Sequence, residues 1–487
     1  MLMQLELRFD TADKQAQPAC CEEAGADHLR SGQAYSRPET TRKASTAKTA
    51  AMEAVIDGLE QAFAAVASNR GAPGPDKQSI KQVREHLQEI LPRLGRTLLD
   101  GSYKPGDIRR VWIPKSGGGQ RGLGIPNVID RMVQQAVRQV LEPVYEPTFH
   151  PSSHGFRAQR SCHTAIAQAK GYLQEGREWV VDIDLENFFN AVNHQRLLSK
   201  LAQRVDDKRL LKLIGQMLKA RVVMPDGVVV SNDEGVPQGG PLSPLLSNIV
   251  LDELDWKLQA RGHRFVRYAD DANIYVKSQR AGQRVMEGVK AFIERRLRLK
   301  VNENKSAVAQ PQDRHFLGFS LRRKSKGGAV EVSLSKRSKE RIASKIRELT
   351  PRNRGCSIQT SIDKINAYTA GWMGFFGICT KQVVKRLNML DGHIRRRLRA
   401  MELKQCKRKR TIVKKLIGRG VKASTAWRQV YGGRKSIWAL SHTGAVDKAL
   451  PNSLWEERGF KTLTQRYWLH PARMAAQKPT QHELVFG

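Results

Sequence analysis

Residues 264–277 read RFVRYADDANIYVK and contain the clearest local signal in this chain. Two short runs of β-branched and aromatic residues flank a tight segment with Asp270 and Asp271, which predicts a β-hairpin with two carboxylates at its tip. Adjacent carboxylates repel each other, so a cation most easily stabilises their joint ionisation, and oxygen ligands of this kind suit Mg²⁺. Because turns favour aspartate in any case, the pair alone is weak support for a metal site.

A second acidic segment lies upstream, where residues 179–185 read WVVDIDL. It has the composition of a buried strand, yet buried strands seldom tolerate unpaired carboxylates such as Asp182 and Asp184. A strand that delivers one of these acids beside the hairpin would complete a two-metal site. In such a site one ion lowers the pKa of an attacking 3′-hydroxyl, and the other stabilises the leaving pyrophosphate. From the residues alone, Asp182 and Asp184 compete for this role.

A glycine- and proline-rich segment, GVPQGGPLSPLLSN at residues 235–248, separates the two acidic segments. Ser243 is predicted as the N-cap of an apolar helix with Pro244 at its first position. The preceding glycines would let backbone lie close to a ligand. Taken alone, this segment is better explained as a purely structural junction between loop and helix.

The composition points to a polyanionic partner. The 487 residues include 84 Lys and Arg against 47 Asp and Glu, a formal charge of +37. Nucleic acid is the usual intracellular partner for such a field, although an anionic membrane surface predicts the same sign. No run approaches the length of a membrane span, and the start lacks a signal-peptide pattern, so a soluble cytoplasmic protein is expected. Six scattered cysteines without a CxxC pair indicate reduced thiols.

The charge is unevenly distributed along the chain. Residues 1–40 hold four basic and seven acidic side chains and are predicted to be a disordered tail, and helical spacing of apolar residues over 50–67 marks the start of folded structure. Residues 391–440 hold sixteen Lys or Arg and two acids, interleaved with apolar residues that include Trp427 and Trp438. This interleaving favours a folded basic domain with a nucleic-acid surface over a merely solvated helix face. The glycines around Arg419 allow a helix-turn-helix there.

Five motifs in this order resemble the palm of a reverse transcriptase: DLENFF (184–189), PQGGPLSP (237–244), YADD (268–271), LKVNENKS (299–306) and FLGF (316–319). IPKSGGGQRGLGIP (113–126) is similar to the fingers hairpin, and SSHGFRAQRSCHTAI (152–166) to the block after it. YTAGWMGFF (368–376) resembles the thumb signature of group II intron-encoded reverse transcriptases, or maturases. The basic segment after Asp391 resembles their DNA-binding domain.

The resemblance implies an α+β right-hand polymerase, with fingers, a palm built on an antiparallel sheet, a helical thumb and a small helical basic C-terminal domain. The expected divisions are a disordered tail at 1–49, fingers and palm with an N-terminal extension at 50–325, thumb at 326–385, basic DNA- and RNA-binding domain at 386–475, and a tail at 476–487.

The resemblance also assigns roles to residues. The catalytic and metal-binding acids are Asp184, Asp270 and Asp271, with the backbone carbonyl of Leu185 as a further metal ligand. The triphosphate and nucleotide are assigned to Lys115, Arg121, Phe189 and Gln238, of which Phe189 blocks a ribose 2′-hydroxyl sterically. Lys305 is assigned as a general acid for pyrophosphate, with a solvated lysine as the alternative. Nucleic-acid contacts are assigned to Tyr268, Ala269, Arg395, Arg396, Arg397, Lys407, Arg408, Lys409 and Arg410.

The implied function is RNA-directed DNA synthesis by an intron-encoded protein that uses two Mg²⁺ ions, or Mn²⁺ in their place, and also binds its intron RNA to assist splicing and mobility. The partners would be intron RNA, target and primer DNA, and dNTPs, and no membrane partner is expected. Whether two copies of the chain form a homodimer is left open. The sequence ends without the Cys pairs and histidines of the family's endonuclease, which predicts that this chain does not cleave its target. It is expected in the bacterial cytoplasm with the nucleoid.

Two departures from the family pattern keep alternatives open. Asn190 stands where an aspartate usually follows the two phenylalanines, and Leu403 and Cys406 stand where many relatives carry tryptophan. A domesticated, intron-free reverse transcriptase in DNA repair or phage defence is one alternative. A splicing cofactor with a vestigial polymerase site is the other.

Overall fold

A computed structural model describes residues 50–114, 118–324, 328–351, 355–433 and 436–474. The predicted tails at 1–49 and 476–487 lie outside the described residues, as does Lys115. The chain divides into two compact units, the first ending at Arg314 and the second beginning at His315. Its mixed helix and strand content agrees with the predicted α+β class, and the finer domain boundaries stay predictions.

The first unit alternates helices and short strands. Its helices are α1 (Met52–Asp57), α2 (Leu59–Ser68), α3 (Ile80–Glu85), α4 (Leu87–Leu99), α5 (Val128–Tyr145), α6 (Cys162–Gln174), α7 (His194–Leu201), α8 (Lys208–Leu218), α9 (Ser243–Ala260) and α10 (Gln279–Phe292). Its strands are β1 (Ile108–Pro114), β2 (Gln120–Ile125), β3 (Trp179–Ile183), β4 (Leu185–Glu186), β5 (Val222–Val223), β6 (Val229–Val230), β7 (Arg264–Tyr268), β8 (Asp271–Val276), β9 (Lys300–Val301) and β10 (Ala307–Ala309).

Two four-stranded sheets organise this unit. One has the order β2-β1-β5-β6, in which β1 and β2 form the antiparallel hairpin predicted from residues 113–126. The other has the order β10-β3-β8-β7 and is antiparallel throughout. Apolar residues of its strands join those of α2, α5 and α9 in a continuous buried core. The second sheet is therefore held rigidly where its strands end, which is where the acidic residues lie.

Local structure departs from the sequence prediction at two helix starts. The helix expected over 50–67 is interrupted at Gly58, a residue that weakens a helix interior. Ser243 does not cap α9, because it is already the first helical residue, and its hydroxyl instead donates to the Pro237 carbonyl at 2.5 Å. The predicted N-cap is therefore wrong by one residue, since a contact with the preceding loop competes for the hydroxyl.

The second unit begins with an antiparallel hairpin and continues as helices. The hairpin pairs β11 (Phe319–Arg323) with β12 (Val330–Leu334). The helices are α11 (Lys336–Leu349), α12 (Ile358–Phe376), α13 (Val383–Gln405), α14 (Lys409–Gly418), α15 (Ala423–Tyr431), α16 (Ile437–Leu440), α17 (Gly444–Ala449), α18 (Asn452–Glu457), α19 (Leu463–Trp468) and α20 (Pro471–Met474).

Helix α13 is the centre of this unit. It packs against α19, α16, α11 and α12, and its Asp391 accepts hydrogen bonds from the backbone N–H groups of Leu463 and Thr464 at the start of α19. Near its other end, Glu402 pairs with Lys415 of α14 and with Arg458. Two acids of the basic region thus fasten its helices together.

The described residues include four cysteines, Cys162, Cys356, Cys379 and Cys406, which form no disulfide. None of the described helices combines the length and the apolar character needed to cross a membrane.

Candidate polymerase site

The predicted hairpin is present, and Asp270 lies in its two-residue turn. Tyr268 at the end of β7 pairs with Asp271 at the start of β8, which leaves Ala269 and Asp270 between the strands. Ala269 has a positive φ of 57°, a conformation that such a tight turn demands and that few non-glycine residues adopt. Asp271 is thus the first strand residue rather than part of the tip.

Sheet register brings Asp184 to the same end. Strand β3 runs antiparallel to β8 with Ile183 opposite Ala272, so the next residue of β3 emerges beside Asp271. The LKVNENKS segment holds this position: the Asn302 N–H donates to the Asp184 carbonyl at 2.9 Å, and the Asp184 N–H donates to Ser306 Oγ at 3.0 Å. Three predicted acids from two separated segments therefore meet at one edge of the sheet.

Negative charge at this edge is poorly compensated. Burial, followed by repulsion from Asp270, Asp182 and Asp184, raises the pKa of Asp271 to about 8. Burial and repulsion from Asp184 also raise the pKa of Asp270, while Arg121 offsets part of the rise. Carboxyl groups in this state favour either a proton or a bound cation.

Asp182 and Asp184, which compete in sequence, have different partners. Arg314 binds the Asp182 carboxylate through Nε at 2.8 Å and Nη2 at 2.7 Å, and both side chains are largely shielded from water. The Asp184 carboxylate contacts an exposed lysine, whose Nζ (Lys305) lies 3.4 Å from its Oδ1. An exposed lysine pair is weak and easily displaced. Asp182 therefore has a firm protein partner, whereas Asp184 keeps a replaceable one.

The carboxylates suit a divalent cation chemically without forming a ready-made cage. They supply hard oxygen ligands and uncompensated charge, both of which favour Mg²⁺. Among the residues that the structure describes, however, no three His, Cys, Asp or Glu side chains form a group ready to hold a metal ion. Leu185, whose carbonyl is a predicted ligand, is buried in β4 opposite Val301.

Two of the residues predicted to bind nucleotide are in direct contact. Arg121 of β2 donates from Nε to Gln238 Oε1 at 2.9 Å, across 117 residues of chain. The Gly124 N–H donates to the Gln238 carbonyl at 2.6 Å, and a Cβ at Gly239 would collide with the Gly124 carbonyl oxygen. Gly239 also has a φ of 128°, so its position requires glycine on two grounds. The PQGG loop is thereby fixed against the β1–β2 hairpin.

The same loop fixes Phe189. The Val236 N–H donates to the Phe189 carbonyl at 2.6 Å, and the half-buried ring packs edge-on against Phe188 with centroids 5.2 Å apart. Phe189 and Gln238 line one narrow cleft together with Arg110. Asn190, the departure from the family pattern, is exposed beside them.

Arg267 is a structurally central residue that the sequence reasoning missed. It is 1% exposed and donates to both oxygens of Asp255, a carboxylate of α9 that is 0% exposed, with a shortest distance of 2.6 Å. Its guanidinium also donates to the Ala269 carbonyl at 2.8 Å and to Ser153 Oγ at 2.7 Å. A single buried cation thus ties the acidic turn to α9 and to the SSHGFR segment. The sequence signal that could have revealed this role was the presence of a charged residue inside the apolar strand β7.

The turn is packed on its other side as well. A Cβ at Gly155 would collide with the Ala269 backbone, and Ala269 itself is 1% exposed. A contact between the Ala269 side chain and nucleic acid would therefore require the turn to open. The neighbouring Tyr268 is half-buried and hydrogen-bonded to Cys162.

The predicted basic contacts in the second unit fall into two groups. On α13, Arg396 stacks on Trp438 at 4.0 Å from the ring centroid, and Arg397 donates to the carbonyls of Thr350 at 2.8 Å and Arg347 at 3.2 Å. By contrast, all four residues of the run at 407–410 are exposed. Arg395 is half-buried and borders an open cleft of about 650 Å³.

Comparisons with known proteins identify two family domains in this chain. Residues 113–321 match the family described as reverse transcriptase (RNA-dependent DNA polymerase), and residues 339–417 match the maturase-specific domain of group II introns. Protein YkfC of Escherichia coli K12 is 33% identical over 316 residues, which cover 56% of this chain and 83% of YkfC.

A second relative is the group II intron-encoded protein LtrA of Lactococcus lactis, 31% identical over 301 residues. That match covers 48% of this chain and 50% of LtrA, so it spans about half the length of this relative. A chain of a solved Cas6-RT-Cas1–Cas2 complex aligns with 50% of this chain and 42% of its own length at 25% identity, with a TM-score of 0.33. The two family domains in their order, together with the match across most of YkfC, show that the chain belongs to the group II intron-encoded reverse transcriptases and maturases.

Proposed function

We propose that this protein is an RNA-directed DNA polymerase that copies its intron RNA into DNA and binds the same RNA to assist splicing and mobility. The observation that carries the polymerase role is the meeting of Asp184, Asp270 and Asp271 at the β3 and β8 strand ends. Burial and mutual repulsion raise the pKa values of Asp270 and Asp271 there, which marks negative charge that the protein leaves uncompensated. The Arg121–Gln238 pair and Phe189 supply the neighbouring nucleotide contacts.

Asp184, Asp270 and Asp271 would hold the divalent ions that reverse transcriptases use, Mg²⁺ or Mn²⁺. When bound, such ions lower the pKa of a primer 3′-hydroxyl and stabilise the leaving pyrophosphate. Arg267 holds the turn that contains Asp270, and backbone hydrogen bonds with Asn302 and Ser306 hold Asp184. These contacts limit the movement that the carboxylates need to converge on a cation. Loss of the exposed Lys305 contact would free Asp184 for the same purpose.

The protein's own side chains would select and hold the nucleotide. Arg121, together with Lys115, would neutralise the triphosphate, and Gln238 would orient the template and the incoming base. Phe189, fixed by the Val236 hydrogen bond, would stand against the sugar and exclude a 2′-hydroxyl. Lys305, once released from Asp184, would be free to donate a proton to pyrophosphate.

The basic second unit would hold the RNA through phosphates and shape. We assign it the thumb and the basic domain of a right-hand polymerase, with fingers and palm in the first unit. Template RNA, primer and target DNA, and dNTPs complete the set of partners, in the cytoplasm with the nucleoid. The match to both family domains favours this function over a domesticated reverse transcriptase or a splicing cofactor with a vestigial site. The absence of an endonuclease and the formation of a homodimer stay predictions.

Replacing one carboxylate tests the polymerase site. Asp270→Asn should reduce Mg²⁺-dependent extension of a DNA primer on an RNA template by at least about a hundredfold, because a neutral amide removes both a ligand and a charge. RNA binding and thermal unfolding should stay unchanged.

Asp182→Asn is the matched control, since an amide oxygen can still accept hydrogen bonds from Arg314. Its primer extension should stay within a few-fold of the parent. Undiminished synthesis by Asp270→Asn would refute the assignment, and an equal loss in both variants would reveal a structural effect instead. Sequencing the RNA that copurifies with the protein would show independently whether an intron is its partner.

A further inference from the structure

Helix α15 carries an aromatic pair on its surface. Trp427 and Tyr431 are each 46% exposed, although residues of this size are usually buried when they serve a core. They stand four residues apart on α15, so they share one helix face, and their rings stack with centroids 5.1 Å apart and planes 23° from parallel. The surface therefore holds a preformed, half-exposed aromatic ladder.

The core between α14 and α15 does not need this pair. Their buried contacts come from smaller residues: Ile412, Val413 and Leu416 of α14, and Ala426 and Val430 of α15. Because the helices already pack through those side chains, the stability of the unit does not explain the exposed rings. An occupant from outside the chain would explain them.

Charge around the rings identifies the chemistry of that occupant. Lys409 Nζ lies 5.4 Å from the Tyr431 ring centroid, which joins the aromatic pair to the exposed run at 407–410. Arg428, beside Trp427 on α15, is also exposed. Cations that track a phosphate backbone, combined with aromatic rings on which bases stack, form the pattern of a site for unpaired nucleic acid. A duplex offers phosphates to the cations but keeps its bases stacked inside.

We propose that Trp427 and Tyr431 form a stacking platform for an unpaired base of the intron RNA, with Lys407, Arg408 and Arg410 contacting the adjoining phosphates. RNA is chosen over DNA because the match to the maturase-specific domain extends through residue 417 and so includes these cations. In this respect the inference rests on the proposed function. Unpaired loops with accessible bases are also the usual targets of RNA recognition.

Binding of short labelled oligonucleotides to the full chain tests the platform. The probes are a mixed-sequence single-stranded RNA, the same RNA paired with its complement, and single-stranded DNA of the same sequence. Trp427→Ala should weaken single-stranded RNA binding about tenfold, as loss of one base-stacking contact does, and Trp427→Phe should restore most of it. Binding of the paired RNA should be unchanged. Trp468→Ala is the matched control, because Trp468 is a 37% exposed tryptophan outside α14 and α15.

Salt dependence separates stacking from charge. Trp427→Ala should leave the slope of log affinity against log salt concentration unchanged, whereas Arg408→Gln should reduce its magnitude by about one unit or slightly less. Unchanged RNA affinity in Trp427→Ala would overturn the platform, as would an equal loss for paired and unpaired RNA. A loss confined to single-stranded DNA would overturn the choice of RNA. Primer extension by the same preparations provides the separate test, since its absence in the parent protein would refute the proposed polymerase and leave the binding result standing.

Discussion

Two basic runs of the second unit, Arg395–Arg397 and Lys407–Arg410, look alike in sequence and differ in structure. Arg396 and Arg397 are engaged with Trp438 and Thr350, whereas the second run is exposed at the start of α14. The first unit shows the same division among its acids, since Arg314 neutralises Asp182 while Asp270 and Asp271 repel each other. Charges that the protein pairs internally serve its fold, and those it leaves uncompensated are available to a ligand.

The largest expected effect follows from breaking an internally paired charge. Arg267→Met should lower the free energy of unfolding by about 3–5 kcal/mol, because it leaves the Asp255 carboxylate buried without its cation. Chemical denaturation of the full chain measures the change. The double variant Arg267→Met/Asp255→Leu should recover most of the loss, since it removes both buried charges. A single variant as stable as the parent would contradict the view that this pairing holds the turn.

A matched pair of arginines tests the comparison itself. Arg397→Ala should lower stability by about 1–2 kcal/mol, because it removes donors to the Thr350 and Arg347 carbonyls, and should leave the salt dependence of RNA binding unchanged. Arg408→Ala should do the reverse, with stability kept within about 0.5 kcal/mol and RNA affinity lowered. Thermal unfolding and RNA titration at several salt concentrations measure both properties. If both variants changed stability and binding to the same degree, the division between the two runs would be wrong.

The smallest effect concerns a buried group that the protein keeps neutral. His154 contacts Thr164 and Gln168, and burial lowers its pKa to about 4. The unfolded chain then binds more protons than the folded one between about pH 4 and pH 6.5, so stability falls as pH falls through that range. Through this group, the free energy of unfolding of the parent should be about 1 kcal/mol lower at pH 5.5 than at pH 7, and His154→Gln should remove that difference. Stability curves of parent and variant that stay parallel from pH 7 to pH 5 would contradict the neutral state.

The sequence predicts the local elements of the site well. The alternation in residues 264–277 and the run at 179–185 predict β7, β8 and β3 correctly, because strand preference and turn chemistry act over a few residues. The hairpin that the resemblance implies for residues 113–126 is also present, as β1 and β2. The Ser243 cap failed because a hydroxyl has competing partners, and Pro237 lies in a loop whose course local preference does not set.

Charge pairing could not be predicted in this way. Asp182 and Asp184 differ in their partners, because Arg314, 132 residues beyond Asp182, binds Asp182 and not Asp184. The role of Arg267 depends on the fold, because its guanidinium joins the neighbouring acidic turn to α9 and to the SSHGFR segment, which lies 114 residues away. Trp427 is one of the apolar residues interleaved through 391–440, and the interleaving alone does not tell that its side chain lies on the surface.

The amino-acid sequence by itself thus determined the strands, the hairpin turns, the acid-bearing motifs and, by resemblance, the family. Only the tertiary structure decided which charges are neutralised, which arginines are engaged and which aromatic residues face water. The physical reason is range: backbone preferences are set by near neighbours, whereas burial and ion pairing depend on how the fold brings elements together, in some cases across more than a hundred positions.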